Sequence, residues 1–129
     1  MIPGTEFEFR SASLVPQACL DYCPSLVTRS EIDEIRAQCE TNRAWCLSCP
    51  DGMVVVELRP YGNELELFIW VAVAWRHGAV KRQIAGIEKI ARDLGARTVA
   101  FQSRRRGWAK RLGSQWLPRG NDEFYRVLE

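Results

Sequence analysis

Hydrophobic and polar positions are most sharply ordered between Glu64 and Trp75. Leu65, Leu67, Ile69, Val71, Val73 and Trp75 alternate with Phe68, Trp70, Ala72 and Ala74, and the polar exceptions, Glu64 and Glu66, stand at the start. A strand that is apolar on both sides belongs in the middle of a sheet, covered on two faces. Two further extended segments precede it, Trp45 to Cys49 and Met53 to Arg59. Pro50-Asp51-Gly52 and Pro60-Tyr61-Gly62-Asn63 join the three, and these are the residue types that tight turns require, so the segments are expected to form an antiparallel meander. Glu6 to Arg10 alternates charge with Phe and suits a short strand with one buried face.

The period then changes. Val80, Ile84, Ile87, Ala91 and Leu94 recur at spacings of 4, 3, 4 and 3, a helical stripe that Gly95 closes. Arg97 to Gln102 reads as a strand. Strand, helix and strand without an intervening hairpin make a βαβ unit, so strands at about 64–75 and 97–102 are expected to be parallel neighbours. Ser13 is placed to cap a helix that stops at Cys23-Pro24. Ser30, with Asp33 three residues on, resembles an acidic capping box for a helix ending near Asn42. A shorter helix over Arg105 to Leu112 buries Trp108 and Leu112, and Phe124 to Leu128 forms a last strand after Pro118-Arg119-Gly120-Asn121.

Composition adds a charge asymmetry to this pattern. The chain has 129 residues, enough for one domain (1–129) with its own core, and its net charge is only +2. Residues 1–75 nevertheless carry 5 Arg against 11 Asp/Glu, or −6, while residues 76–129 carry 13 Lys/Arg against 5 acids, or +8. Anions are expected at the basic half. The longest apolar run, Leu67 to Trp75, is nine residues, far below the roughly 20 of a membrane-spanning helix. The start of the chain lacks the charged start and apolar run of a secretory signal, which makes a cytoplasmic setting the expected one.

Five cysteines fit a reducing compartment. Cys19, Cys23, Cys46 and Cys49 could offer four thiolates to zinc. Ala44 to Cys49 reads as a strand, however, which turns residues three apart to opposite faces, and no second close CxxC completes the usual spacing. Reduced, partly buried thiols and no metal are therefore expected, with zinc as the alternative.

The element order strand, helix, helix, three antiparallel strands, helix, strand, helix, strand resembles the GNAT superfamily of acyl-CoA-dependent N-acyltransferases. The residues that carry the resemblance are the apolar strand Leu65 to Val73, the turn Trp75-Arg76-His77-Gly78-Ala79-Val80-Lys81 opening an amphipathic helix, and Lys89 to Phe101, a helix ending in Leu94-Gly95-Ala96 and feeding a strand. Brevity and the segment Arg106-Gly107-Trp108-Ala109-Lys110-Arg111-Leu112 are most similar to short members encoded by bacteriophages. The resemblance implies a three-layer α+β fold with a mixed, mostly antiparallel sheet. It also implies that acetyl-CoA lies with its pyrophosphate at the helix start, near Arg76, His77, Gly78, Lys81 and Arg82. Its pantetheine would then lie along the central strand at Val71 and Val73. Backbone N–H groups and the dipole at a helix start favour such an anion. The family's reaction is direct attack of an amine, on a small molecule or a protein, on the thioester.

The sequence departs from the family pattern in two places. Arg76 precedes Gly78 by only two residues, and Val80 stands where a second small residue is usual. Ala109 or Arg111 occupies the place of the tyrosine that commonly reprotonates the thiolate. Glu66 and His77 are the candidates for a general base. The Arg104-Arg105-Arg106 run reads as a solvated face, a contact for the CoA 3′-phosphate, or, with Trp108 and Trp116 nearby, a nucleic-acid surface. Two functions follow: an N-acyltransferase, or a catalytically degenerate descendant serving as a binding or structural protein, such as a virion component or a host-directed effector.

Overall fold

The computed structural model describes residues 2, 4–10, 29–74, 79–103 and 112–129. Among the described residues seven strands form one sheet: β1 (Glu8–Arg10), β2 (Ala44–Cys49), β3 (Gly52–Tyr61), β4 (Glu64–Ala74), β5 (Thr98–Gln102), β6 (Leu117–Arg119) and β7 (Glu123–Val127). Their order is β1-β2-β3-β4-β5-β7-β6, which puts β4 in the middle. Only β4 and β5 run parallel; all other pairs are antiparallel. Helices α1 (Arg29–Glu40) and α2 (Ala79–Asp93) lie on opposite faces. This is the expected α+β architecture in three layers.

Each face has its own core. Under α2, the helix residues Ile87, Ile90 and Ala91 join Leu47, Val54, Val56, Leu67, Ile69 and Val99. Under α1, Ile35 joins Ala44, Cys46, Met53 and Val55. The strict alternation in β3, with Val54 and Val56 on one face and Val55 on the other, supplies both cores from one strand. The hairpins close as their turn residues require. Tyr61 pairs with Glu64 across a two-residue loop, and Gly62 takes the left-handed conformation there (φ 64°). Gly95 (φ 80°) ends α2, and the Ala96 amide donates to the Ala91 carbonyl at 2.9 Å, the bond of a Schellman cap.

Several boundaries differ from expectation. Ser30 sits inside the first turn of α1 rather than capping it, because the helix already includes Arg29. Pro60 and Tyr61 belong to β3, not to the turn. Pro118 and Arg119 lie in the short edge strand β6, where a proline costs no ladder hydrogen bond. Ser13 to Tyr22, Trp108 and most of Arg105 to Leu112 lie outside the described residues.

The segment before β1 is fastened across α2. Phe7 is 2% exposed, and an ideal Cβ on Gly86 would stand 2.8 Å from its Cε2. Gly86 is therefore the groove that admits the ring. Gly86→Leu is expected to lower stability by about 1–3 kcal/mol in urea unfolding, overpacking outweighing the helix propensity gained. A variant as stable as the parent would contradict this packing.

Candidate active site

The central strand carries two irregularities close together. In the β3–β4 ladder Val55 pairs with Val71 but Val56 pairs with Ile69, so Trp70 is an extra residue and the strand bulges. The uninterrupted alternation expected from Leu65 to Trp75 is broken at that point, since a bulge leaves a residue out of the ladder and bends the strand. On its other edge β4 pairs with β5 only from Glu66↔Thr98 to Ile69↔Phe101. β5 continues to Gln102 alongside Glu123 of β7, while β4 runs on to Ala74 alongside Gly52 of β3. The two parallel strands thus part beside the bulge. Among the described residues no strand pairs with Trp70–Ala74 on the β5 side.

Bulge, parting strands and a following helix on one sheet make a recognisable whole. The chain has the GNAT acetyltransferase fold. A GNAT-family acetyltransferase from Listeria monocytogenes superposes with a TM-score of 0.67 at 12% identity, covering 99% of this chain and 98% of that one. An acetyltransferase from Thermus thermophilus gives 0.61 at 14% identity, over 95% and 97%. A Bacillus subtilis acetyltransferase solved in complex with CoA gives 0.55 at 15% identity, over 96% and 99%. No protein-family model and no curated protein matches the sequence itself.

Among the expected cofactor residues of this GNAT-like chain, Arg76, His77 and Gly78 lie outside the described residues. Val71 and Val73 belong to the part of β4 that β5 leaves. Lys81 is exposed in the first turns of α2. Arg82 is engaged elsewhere: its Nε and Nη2 donate to Oδ2 and Oδ1 of Asp51 at 2.6 and 3.0 Å. Asp51 is buried in the β2–β3 turn, so this fork ties the start of α2 to the sheet, and it raises the Arg82 pKa through the hydrogen bond to Asp51.

Glu66, a polar exception at the start of the central strand, is sealed from solvent. It is 0% exposed. Its Oε2 accepts from Arg59 Nε at 2.9 Å and from Arg119 Nη2 at 2.8 Å, and its Oε1 accepts from the Thr98 hydroxyl at 2.9 Å. Glu123 Oε1 completes the cluster, accepting from Arg59 Nη2 at 2.9 Å and Arg119 Nη2 at 3.0 Å. The Arg59 guanidinium lies 3.9 Å over the Phe68 ring, and that of Arg119 over Tyr61 and Tyr125 at 4.3 and 5.1 Å. Burial pushes the Glu66 carboxyl up, but hydrogen bonds from Arg119, Arg59 and Thr98, with the Arg119 charge, hold it below the ordinary carboxylate range. A carboxylate so fully donated to is a poor proton acceptor. Its chemistry is that of a bolt joining β3, β4, β5 and β6 on the face that α2 does not cover.

Glu57, which sequence reasoning passed over, lies on this same face of β3, level with Phe68 on β4 and Ala44 on β2. It is half-buried, and its pKa is raised, by burial first and the Glu34 charge second, against the opposing pull of Arg59. The available signal was the pair Glu57 and Arg59, two charges at alternate positions in an otherwise apolar strand.

The cysteines divide between the two cores. Cys46 is buried beneath α1 and Cys49 packs against the α2-side core, so they face away from each other. Cys39, Cys46 and Cys49 are free thiols, and burial raises the Cys39 pKa. Among the described residues no three His, Cys, Asp or Glu form a metal-binding group; Cys19 and Cys23 lie outside them. Trp116 is 4% exposed and packs against Phe101 at 5.4 Å between ring centroids, so it is a core residue and not a surface for stacking bases. Arg104, Arg105 and Arg106 lie outside the described residues. Among the described residues no helix is long and apolar enough to cross a membrane.

Proposed function

We propose that this chain is an acyl-CoA-dependent N-acyltransferase that uses acetyl-CoA and transfers the acetyl group directly to an amine. A fold by itself does not fix an activity. The observation that carries the reading is local: β4 and β5 part after Ile69↔Phe101, immediately beside the bulge at Trp70.

The residues fit an acyl-pantetheine arm. Its amides need extended backbone to pair with, and Trp70–Ala74 offers an edge of β4 that no described strand occupies. The bulge frees backbone donors from the ladder where a thioester carbonyl would lie, and a fixed N–H aimed at developing negative charge lowers the barrier for attack at that carbon. The start of α2 suits the pyrophosphate, with Lys81 exposed there and Arg76, His77 and Gly78 just before it in sequence. Arg82, held by Asp51, positions that helix start. Acetyl-CoA, when bound, supplies an activated acetyl carbon; the protein's part is to align it and to accept a proton.

Isothermal titration with acetyl-CoA tests the reading. Micromolar binding is expected, accompanied by a rise in the unfolding midpoint that grows with ligand concentration. Absence of heat at millimolar acetyl-CoA would overturn it. Binding without thiol release in the presence of any amine would instead favour the degenerate, non-catalytic descendant.

A further inference from the structure

On the sheet face opposite α2, strands β3, β4 and β7 carry four described carboxylates. Three are committed or remote. Glu66 is held by Arg59, Arg119 and Thr98, and Glu123 is paired through Oε1 with both arginines. Glu64 is exposed at the far hairpin, with Arg97 Nε at 3.8 Å. Glu57 differs from all of them: among the described residues it has neither a hydrogen-bond partner nor an ion pair. It is half-buried between the α1-side core and the arginine cluster. Its register partner Phe68 precedes the bulge residue Trp70 by two. With strands about 4.8 Å apart and a rise of about 3.3 Å per residue, its Cα lies on the order of 8 Å from that of Trp70. A glutamate side chain with one bridging water spans such a distance.

We infer that Glu57 is the proton acceptor for the amine substrate, an inference that rests on the acyltransferase reading above and adds the residue that generates the nucleophile. A primary amine arrives as an ammonium, with no lone pair to give. Its proton passes through a water to the Glu57 carboxylate and on to bulk solvent. The neutral nitrogen then attacks the thioester carbon, the C–N bond forms, the C–S bond breaks, and the second nitrogen proton ends on the departing CoA sulfur. Ammonium and acetyl-CoA thus give amide, CoA thiol and one proton.

The surroundings suit the task. Glu34 of α1 and Glu66 of β4 contribute negative charge on this face, and Arg59, two residues along β3, contributes positive charge. Phe68, its register partner on β4, is an apolar neighbour, and Trp70 packs against the α1-side core. Burial and Glu34 together keep the carboxyl's proton affinity above that of an ordinary glutamate, closer to the working pH of a general base. The same shift carries a stability cost. A carboxyl whose pKa is raised on folding favours the fold below its unfolded value, and that contribution is lost as pH rises through the folded value. At neutral pH Glu57 is therefore a burden on the fold.

Thiol release from acetyl-CoA by this chain, followed from pH 5.5 to 9.5 and taken at each pH as the excess over the protein-free rate, which is appreciable for hydroxylamine, tests the inference with two probe amines. Propylamine is an ammonium at neutral pH and needs a base, whereas hydroxylamine is already neutral. Glu57→Gln is expected to lower kcat about 100-fold with propylamine, to change the hydroxylamine rate less than about 3-fold, and to leave the KM for acetyl-CoA unchanged. Glu57→Asp is expected to restore part of the propylamine rate. The unfolding midpoint of Glu57→Gln should equal or exceed that of the parent at pH 8. Equal losses with both amines, or no loss with propylamine, would overturn the role of Glu57. Absence of thiol release from the parent protein with either amine would overturn the acyltransferase reading itself, so the two failures are distinguishable.

Discussion

Glu66→Leu is expected to cost the fold about 3 kcal/mol at pH 7, the lower end of the penalty for removing one partner from a buried ion pair. The carboxylate is 0% exposed and receives both Arg59 and Arg119, whose side chains are only 29% and 15% exposed. Without it two guanidinium groups must share Glu123, and Thr98 loses the acceptor of its hydroxyl. That Glu123 remains, and that Arg59 can partly regain water, keeps the figure at the lower end. The loss should depend on pH. The folded pKa of Glu66 is depressed, so the contribution is complete above the ordinary glutamate value of 4.5 and is lost as pH falls through the folded value. Urea unfolding of parent and variant at pH 7 and at pH 3 measures this directly. The difference between them should shrink at the acid end, and a deficit of the same size at both pH values would mean that Glu66 acts by packing rather than by charge.

Glu66 also shows what sequence reading reaches and where it stops. The alternation in Leu65 to Trp75, the Pro, Gly, Asn and Asp turns and the switch of period at Val80 were enough to place β4 at the centre and β5 parallel to it, because each of those signals is local. Glu66 read as a polar exception at the strand's start and a candidate base because the residues that bury and neutralise it are Arg59 on a neighbouring strand and Arg119 more than 50 positions later. Arg119 itself read as part of a turn, since Pro118 and Gly120 flank it and a three-residue edge strand leaves no periodicity to detect. The bulge at Trp70 has no glycine or proline to announce it; only the pairing of Val55 with Val71 and Val56 with Ile69 reveals the extra residue. Glu57 gave only the weak signal of its alternation with Arg59, because a charge in a strand normally points to water, and only the fold shows that it is half-buried. The basic helix start was visible in sequence, but the diversion of Arg82 to Asp51 was not. That contact joins a turn to a helix 31 residues apart.

The apolar side of the same strand gives the other large effect. Leu67→Ala is expected to destabilise the protein by about 3–4 kcal/mol, the middle of the range for truncating a fully buried leucine. Leu67 is 0% exposed, pairs in register with Val99 of β5, which is also 0% exposed, and belongs to the core that α2 closes. Four ladder positions hold β4 to β5 before the strands part, fastened on one face by Glu66 with Thr98 and on the other by Leu67 over the α2-side core. The two fastenings differ in physics, and their pH dependence separates them. The Leu67→Ala deficit comes from lost transfer energy and an unfilled cavity, neither of which titrates, so it should be nearly the same at pH 7 and pH 3. Leu67→Met, which conserves volume, should cost less than about 1.5 kcal/mol. If Leu67→Ala proved nearly neutral in urea unfolding, the closed end of the β4–β5 pair would not be packed as described. The parting beyond Ile69 would then lose its fixed starting point.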